Sequence, residues 1–156
     1  REHASLSSLE KFFYGGHAHP QLEQETVSKY FDKMHVKTPT QETPIQTLSG
    51  GNQQKVLLAK WMMRNPDVMI LDEPTRGIDV GAKFEIYKLV SDTAMEGKAV
   101  IMVSSELPEL IGMCDRIYVM HQGHIRGELM RDQFSQEEIM WYATGSTKQG
   151  KEAVVE

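Results

Sequence analysis

The chain has 156 residues, 40% hydrophobic and 25% charged, with 17 Lys and Arg against 22 Asp and Glu for a formal net charge of -5. That balance suits one ordinary globular domain rather than a disordered segment, and the acidic excess, with no run of Lys and Arg, argues against a general nucleic-acid binder. The single cysteine, Cys114, excludes an internal disulfide and fits a reducing cytosolic compartment, and no apolar stretch approaches the roughly 20 residues that cross a bilayer. The first residues, Arg1-Glu2-His3-Ala4, show no signal-peptide core and no initiator Met, which suggests a fragment whose membrane link, if any, comes through a partner.

Leu6, Leu9, Phe12 and Phe13 recur at helical spacing over residues 5–15, Gly15-Gly16 ends that pattern, and His17-Ala18-His19-Pro20 reads as a loop. A second helix is predicted from Pro20 to near Met34, with Leu22, Val27, Tyr30, Phe31 and Met34 on its apolar side. Residues 37–47, rich in Thr, Pro and Gln, read as an irregular connector. A third helix starts just after Ser49-Gly50-Gly51 and continues through Val56, Leu57, Ala59, Trp61 and Met62 to near Arg64, where Asn65-Pro66 stops it; Trp61 is expected in the core. Residues 67–72 follow as a short, continuously apolar strand of the kind buried on both faces of a parallel sheet. Next come a helix at 80–96, a strand at 99–104 and a short helix at 107–113. Strands at 116–121 and 125–130 form a hairpin turned at Gln122-Gly123, and a last helix spans 135–143. The alternation predicts an α/β layered core. The composition divides it into a helical part at 1–64, a core at 65–144 and a tail at 145–156 that reads as disordered.

Two segments carry chemistry. Ser49, Gly50 and Gly51 stand at a helix start, where unpaired amides and the helix dipole favour a phosphate and glycine lets the backbone approach it. The same residues, taken alone, equally fit a plain helix N-cap. In the second segment, the strand ends in two consecutive carboxylates, Asp72 and Glu73, at the edge where α/β sheets bind ligands. Asp72 suits Mg²⁺ and Glu73 suits a general base on an attacking water. By itself that pair is also what a solvated acidic turn would show.

Together, Leu48-Ser49-Gly50-Gly51-Asn52-Gln53 and Ile70-Leu71-Asp72-Glu73-Pro74-Thr75 resemble the signature and Walker B motifs of ABC ATPases. Gly77-Ile78-Asp79 resembles that family's D-loop. Asn52 before Gln53-Gln54-Lys55, the run from Glu73 to Lys83, and Ser104-Ser105-Glu106-Leu107-Pro108-Glu109 are similar to the second ATP-binding domain of ribose- and galactose-type sugar importers. The likeness extends from the helical segment to about Gly145. It implies the C-terminal part of a P-loop NTPase (RecA-like) core with part of its helical subdomain.

The resemblance also implies ATP and Mg²⁺ as ligands. Ser49, Gly50 and Gly51 would close over the γ-phosphate of a nucleotide held by an opposite ATP-binding domain. Asp72 and Glu73 would act in cis, while Gln53 and Asp79 are secondary contacts, Asp79 across the dimer interface. Implied partners are transmembrane permease subunits, a second ABC nucleotide-binding domain and, indirectly, a periplasmic sugar-binding protein, with no nucleic acid. The place implied is the cytoplasmic face of the inner membrane, peripherally bound.

Two departures stand out. Ser104-Ser105 occupy the place where most members carry a histidine that senses the γ-phosphate, and serine donates a hydrogen bond without carrying positive charge. Ser105 in that role implies slower hydrolysis, and leaves open a non-hydrolytic module that binds ATP and regulates an active partner site. A soluble ABC protein acting on ribosomes or DNA shares the signature as well, but the acidic balance weighs against it. The family's P-loop would lie upstream of Arg1, so the fragment alone is expected to be inactive, and unstable or oligomeric. Gly145-Ser146-Thr147-Lys148-Gln149-Gly150-Lys151 fits a P-loop expression but follows a helix, with Glu152 where Ser or Thr would bind Mg²⁺. It is not read as a phosphate site. His17 and His19 read as a solvated loop, and Cys114 as a structural thiol.

Overall fold

From residue 50 onward, apolar residues alternate between helical and extended spacing. The computed structural model, which describes residues 2–15 and 17–146, follows that alternation. Contacts group the chain into two units divided after Val103. The first begins with α1 (Glu2–Ser5) and a 3-10 helix (Leu6–Lys11), then β1 (Phe13–Tyr14) antiparallel to β2 (His17–Ala18). It continues with α2 (Pro20–Lys33), the irregular connector, α3 (Gly50–Met62), β3 (Val68–Asp72), α4 (Val80–Met95) and β4 (Ala99–Val103).

Local chemistry sets most of these bounds. Pro20 sits in the first turn of α2, where its missing N–H costs no helical bond. After α3, Asn65 adopts a left-handed φ of 53° and Pro66 bars continuation. Asp79 caps α4 by accepting the Ala82 N–H at 3.0 Å. β3 and β4 pair in parallel, from Val68 opposite Ala99 to Asp72 opposite Val103, with α4 as the crossover. The core lies between Val27, Phe31 and Met34 around α2, Val56 and Ala59 of α3, Leu71 of β3 and Ile86 of α4.

Several expectations are corrected here. Over residues 5–15 the α-helix ends at Ser5, and the following 3-10 helix breaks at Ser8 (φ -128°, ψ 22°). At three residues per turn Leu6 and Leu9 fall on one side; both are exposed, as is Phe13, while Ala4, Ser5, Ser8 and Phe12 are buried. The loop expected at 17–20 contains the second strand of a short β pair. Leu22 is also exposed. Trp61 is 49% exposed, with the Lys60 ammonium 5.2 Å from its ring centroid, because α3 buries the stripe Val56, Leu58, Ala59 and Met62 and leaves Leu57 and Trp61 outside it. β3 is buried on one face only: Met69 and Leu71 face the core, while Ile70 is 70% exposed.

The second unit holds α5 (Leu107–Met113), β5 (Arg116–His121), β6 (His124–Met130), a 3-10 turn and α6 (Gln136–Ala143). Gln122 and Gly123 both take positive φ (49° and 78°), as a two-residue hairpin turn matched to strand twist requires. The register shifts from Val119 opposite Gly127 to Met120 opposite Ile125, so Arg126 is the extra residue of a bulge. Tyr142 of α6 packs over Gly127, where a Cβ would lie 2.5 Å from its ring. Cys114 is half-buried, and burial, with Asp115 and Glu109 nearby, raises its pKa above the usual thiol value, as suits a structural thiol. Gly145 follows α6 after the C-cap Thr144, and residues 147–156, with the rest of the P-loop look-alike and tail, lie outside the described residues. Among the described residues no helix is long and apolar enough to cross a membrane.

Candidate functional site

Leu48 and Ser49 are extended (ψ 155° and 154°), and the chain turns helical at Gly50, so Ser49 occupies the N-cap position of α3. Its hydroxyl makes no capping bond to the helix. It accepts instead from Asn52 Nδ2 at 2.9 Å, and Asn52 Oδ1 accepts the backbone N–H of Lys37 at 2.8 Å. Gln53 folds back, its Nε2 donating to the Leu48 carbonyl at 2.8 Å. Ser49 and Gly50 are exposed, at the positive end of a 13-residue helix.

β3 delivers the two carboxylates. Asp72 ends the strand and is exposed; Glu73 is half-buried and takes a left-handed φ of 46°. A non-glycine residue there carries about 1 kcal/mol of strain, and such residues gather at functional sites. The surroundings hold it: the Glu73 N–H donates to the Val103 carbonyl at 2.8 Å, and its carbonyl accepts from Arg76 N–H at 3.2 Å. Buried Pro74 and Thr75 then lead to Gly77 and to Asp79 at the start of α4.

The starts of α3 and α4 meet. A Cβ on Gly51 would lie 2.6 Å from the Ala82 Cβ and 3.9 Å from Asp79 Oδ2; one on Gly50 would lie 3.6 Å from Ile78 Cγ2. One turn further along, Lys55 is 2% exposed and donates to the His35 carbonyl at 3.1 Å and to the Glu85 carboxylate. The Lys55 hydrogen bond, then the charges of Lys55, Lys37 and His35, hold the Glu85 carboxyl below its usual value against the opposing effect of burial. The structure therefore packs Gly50 and Gly51 against Ile78, Asp79 and Ala82, with Ser49 and Gln53 on the α3 side of that junction. Asp72 and Glu73 stand at the end of the strand that leads into it. Ser105 belongs to the second unit. It is exposed in the turn before α5, where Ser104 Oγ accepts the Glu106 N–H at 3.0 Å and donates to the carboxylate of buried Glu109.

In the sequence Asn52 is only a family mark, and nothing there gives a part to Lys55, Ala82, Glu85 or Glu109. A buried lysine four residues after Gly51 demands a partner, but spacing does not say which. Among the described residues no three His, Cys, Asp or Glu side chains gather to hold a metal.

Comparison with known proteins decides the family. The ABC transporter family profile matches residues 3–76. Over 145 residues, 93% of the chain, the sequence is 52% identical to a ribose import ATP-binding protein of Oceanobacillus iheyensis, covering 29% of that protein. It is 56% identical over 123 residues, 76% of the chain, to a galactose/methyl galactoside import ATP-binding protein of Clostridium perfringens, covering 24% of it. The chain belongs to the ABC transporter family. It spans less than a third of the length of these curated relatives.

Solved ABC cassettes share the fold. A dimeric ATP-binding cassette in a post-hydrolysis state bound to ADP and Pi superposes with a TM-score of 0.70 at 21% identity, over 85% of this chain and 57% of that one. A nucleotide-free ATP-binding cassette from an ABC transporter superposes at 0.67 and 23% identity, over 96% of this chain and 57% of that one. The α/β cassette fold expected from the signature and Walker B motifs is the fold observed.

Proposed function

We propose that this segment works within the ATP-binding subunit of an importer for a sugar or similar small molecule, where it supplies the signature turn and the Walker B carboxylates. The observation that carries the reading is the packed junction of Gly50 and Gly51 with the Asp79 turn, in a chain about half identical to ribose and galactose import ATP-binding proteins. Residues 1–64 would then be part of the helical subdomain and 65–144 the C-terminal half of the core. The subunit would sit peripherally on permease subunits at the cytoplasmic membrane face, paired with a second ATP-binding domain and served by a periplasmic sugar-binding protein.

The chemistry follows from the groups present. Exposed Ser49 and the first amides of α3 offer hydrogen bonds to phosphate oxygens of ATP held by the opposite domain. Asp72 and Glu73 are adjacent hard oxygen donors, and Mg²⁺ takes one or two carboxylates together with substrate phosphates, so the pair fits that ion, with Asp72 as its holder. The ion, when bound, would neutralise phosphate charge. Glu73 accepts a proton from the attacking water. Its half-buried backbone, fixed by Val103 and Arg76, gives that carboxylate a stable root. Exposed Asp79, at the start of α4, would be the contact to the partner domain.

In the intact protein with its permease, Glu73→Gln should abolish most ATP hydrolysis while ATP binding persists. Unchanged turnover would remove Glu73 from this role. The non-hydrolytic reading is favoured only by the serine at position 105, and turnover retained when this domain's glutamate alone is changed would support it.

A further inference from the structure

Ser49 and Asn52 lie one helical turn apart at the exposed start of α3, and their hydrogen bond has only one possible direction. The Lys37 backbone N–H can only donate, and at 2.8 Å it fixes which end of the Asn52 amide is the oxygen. The other end, Nδ2, can only donate, and it lies 2.9 Å from Ser49 Oγ. Ser49 therefore spends a lone pair on this contact and keeps its proton. A hydroxyl that accepts one bond is polarised to donate the next. Meanwhile Gln53 Nε2 holds the Leu48 carbonyl at 2.8 Å, so the backbone on which Ser49 sits is braced from the same helix.

We propose that Asn52 is a positioning residue that sets the Ser49 hydroxyl as a hydrogen-bond donor to a phosphate oxygen, its own amide being oriented by the backbone of Lys37. This rests on the reading of Ser49 as a phosphate contact given above. It adds a reason for asparagine at position 52. A side chain that presents a donor to Ser49 and an acceptor to the connector in one planar group meets both needs. Aspartate meets only the second, because its oxygens would capture the Ser49 proton. The connector at Lys37 thereby becomes part of the device that aims Ser49.

The test is ATP hydrolysis by the intact subunit, with its permease, for wild type, Ser49→Ala, Asn52→Ala, Asn52→Asp and the Ser49→Ala/Asn52→Ala pair. Asn52→Ala should lower kcat roughly tenfold, the loss expected for a weakened bond to a charged group, with KM within about twofold, because the nucleotide is gripped by the other domain. Asn52→Asp, nearly isosteric, should be at least as slow with an unchanged melting midpoint. The double variant should be no slower than Ser49→Ala alone, since Asn52 acts through Ser49; a merely structural role would give losses that multiply. Multiplying losses, or Asn52→Ala within about twofold of the wild-type rate, would overturn the proposal while leaving the reading of the site intact. Absence of turnover in the wild-type subunit would overturn the reading itself and the proposal with it.

Discussion

Two regions of the first unit meet their physical needs in opposite ways. At the α3–α4 junction nearly every group is answered within the chain: Gly51 admits Ala82, Lys55 finds His35 and Glu85, and Asn52 and Gln53 hold the turn before them. On the outer face of the β3–β4 pair, by contrast, Val68, Ile70, Ile101 and Val103 form an exposed aliphatic row. The outer face of the second unit's hairpin is mixed: Arg116 and Tyr118 both bond to Glu128 across the strands, beside exposed Met120, Ile125 and Met130. The junction that presents the candidate site thus has its groups paired and packed within the unit, while the strand that delivers Asp72 and Glu73 carries an exposed apolar side. An apolar face of that kind marks an interaction surface or an aggregation hazard.

The widest separation is expected between neighbours on β3. Leu71 is 8% exposed and Ile70 is 70% exposed. Leu71→Ala should cost about 2–5 kcal/mol through lost burial and a cavity, and Ile70→Ala within about 0.5 kcal/mol. Urea unfolding of the 156-residue chain measures both. Equal losses would mean that the outer face is covered, as by self-association, and the comparison would fail.

A middle-sized effect tests the junction. Gly51→Ala would drive a methyl to 2.6 Å from the Ala82 Cβ, whereas Gly50→Ala meets nothing closer than Ile78 Cγ2 at 3.6 Å. Alanine at 51 should cost about 1–3 kcal/mol by overpacking, and alanine at 50 should not destabilise. Melting midpoints of the two variants decide it; if they match, the two helix starts are not in close contact.

Legibility in the sequence follows range. Asp79 capping α4 and Gln122-Gly123 turning the hairpin are local chemistry, and those elements stand where spacing puts them. What marks the candidate site in the sequence is the resemblance of residues 48–53 and 70–75 to the signature and Walker B motifs, since either segment alone also fits a plain helix cap or an acidic turn. Hidden were matters that depend on what lies across space: the break at Ser8 that turns Leu6 and Leu9 outward, the face of α3 that Trp61 occupies, and the side of β3 left bare. Gly51 against Ala82, Lys55 with Glu85 and Asn52 with Lys37 join segments separated by a strand or a connector. Periodicity reports which residues want burial and is silent on their partners.

The smallest effect concerns how closed the junction is to solvent, and it is read from pH. Glu85 carries its carboxyl below the ordinary value of 4.5, chiefly through the Lys55 hydrogen bond, and its side chain is 41% exposed. A carboxyl depressed in the folded state adds stability that is complete above 4.5 and is lost as pH falls through the lower folded value. With that much exposure the contribution should be under about 1 kcal/mol and weakened by salt. Glu96 is also depressed below the ordinary value, by its hydrogen bond to Lys33, so acid unfolding of the wild type alone would not isolate Glu85. The difference between wild type and Glu85→Gln does: a gap in urea midpoint at neutral pH should shrink toward zero in acid below the carboxylate range. A gap that persists unchanged in acid would mean that Glu85 acts by packing rather than by charge, and that the buried Lys55 ammonium is satisfied by the His35 carbonyl.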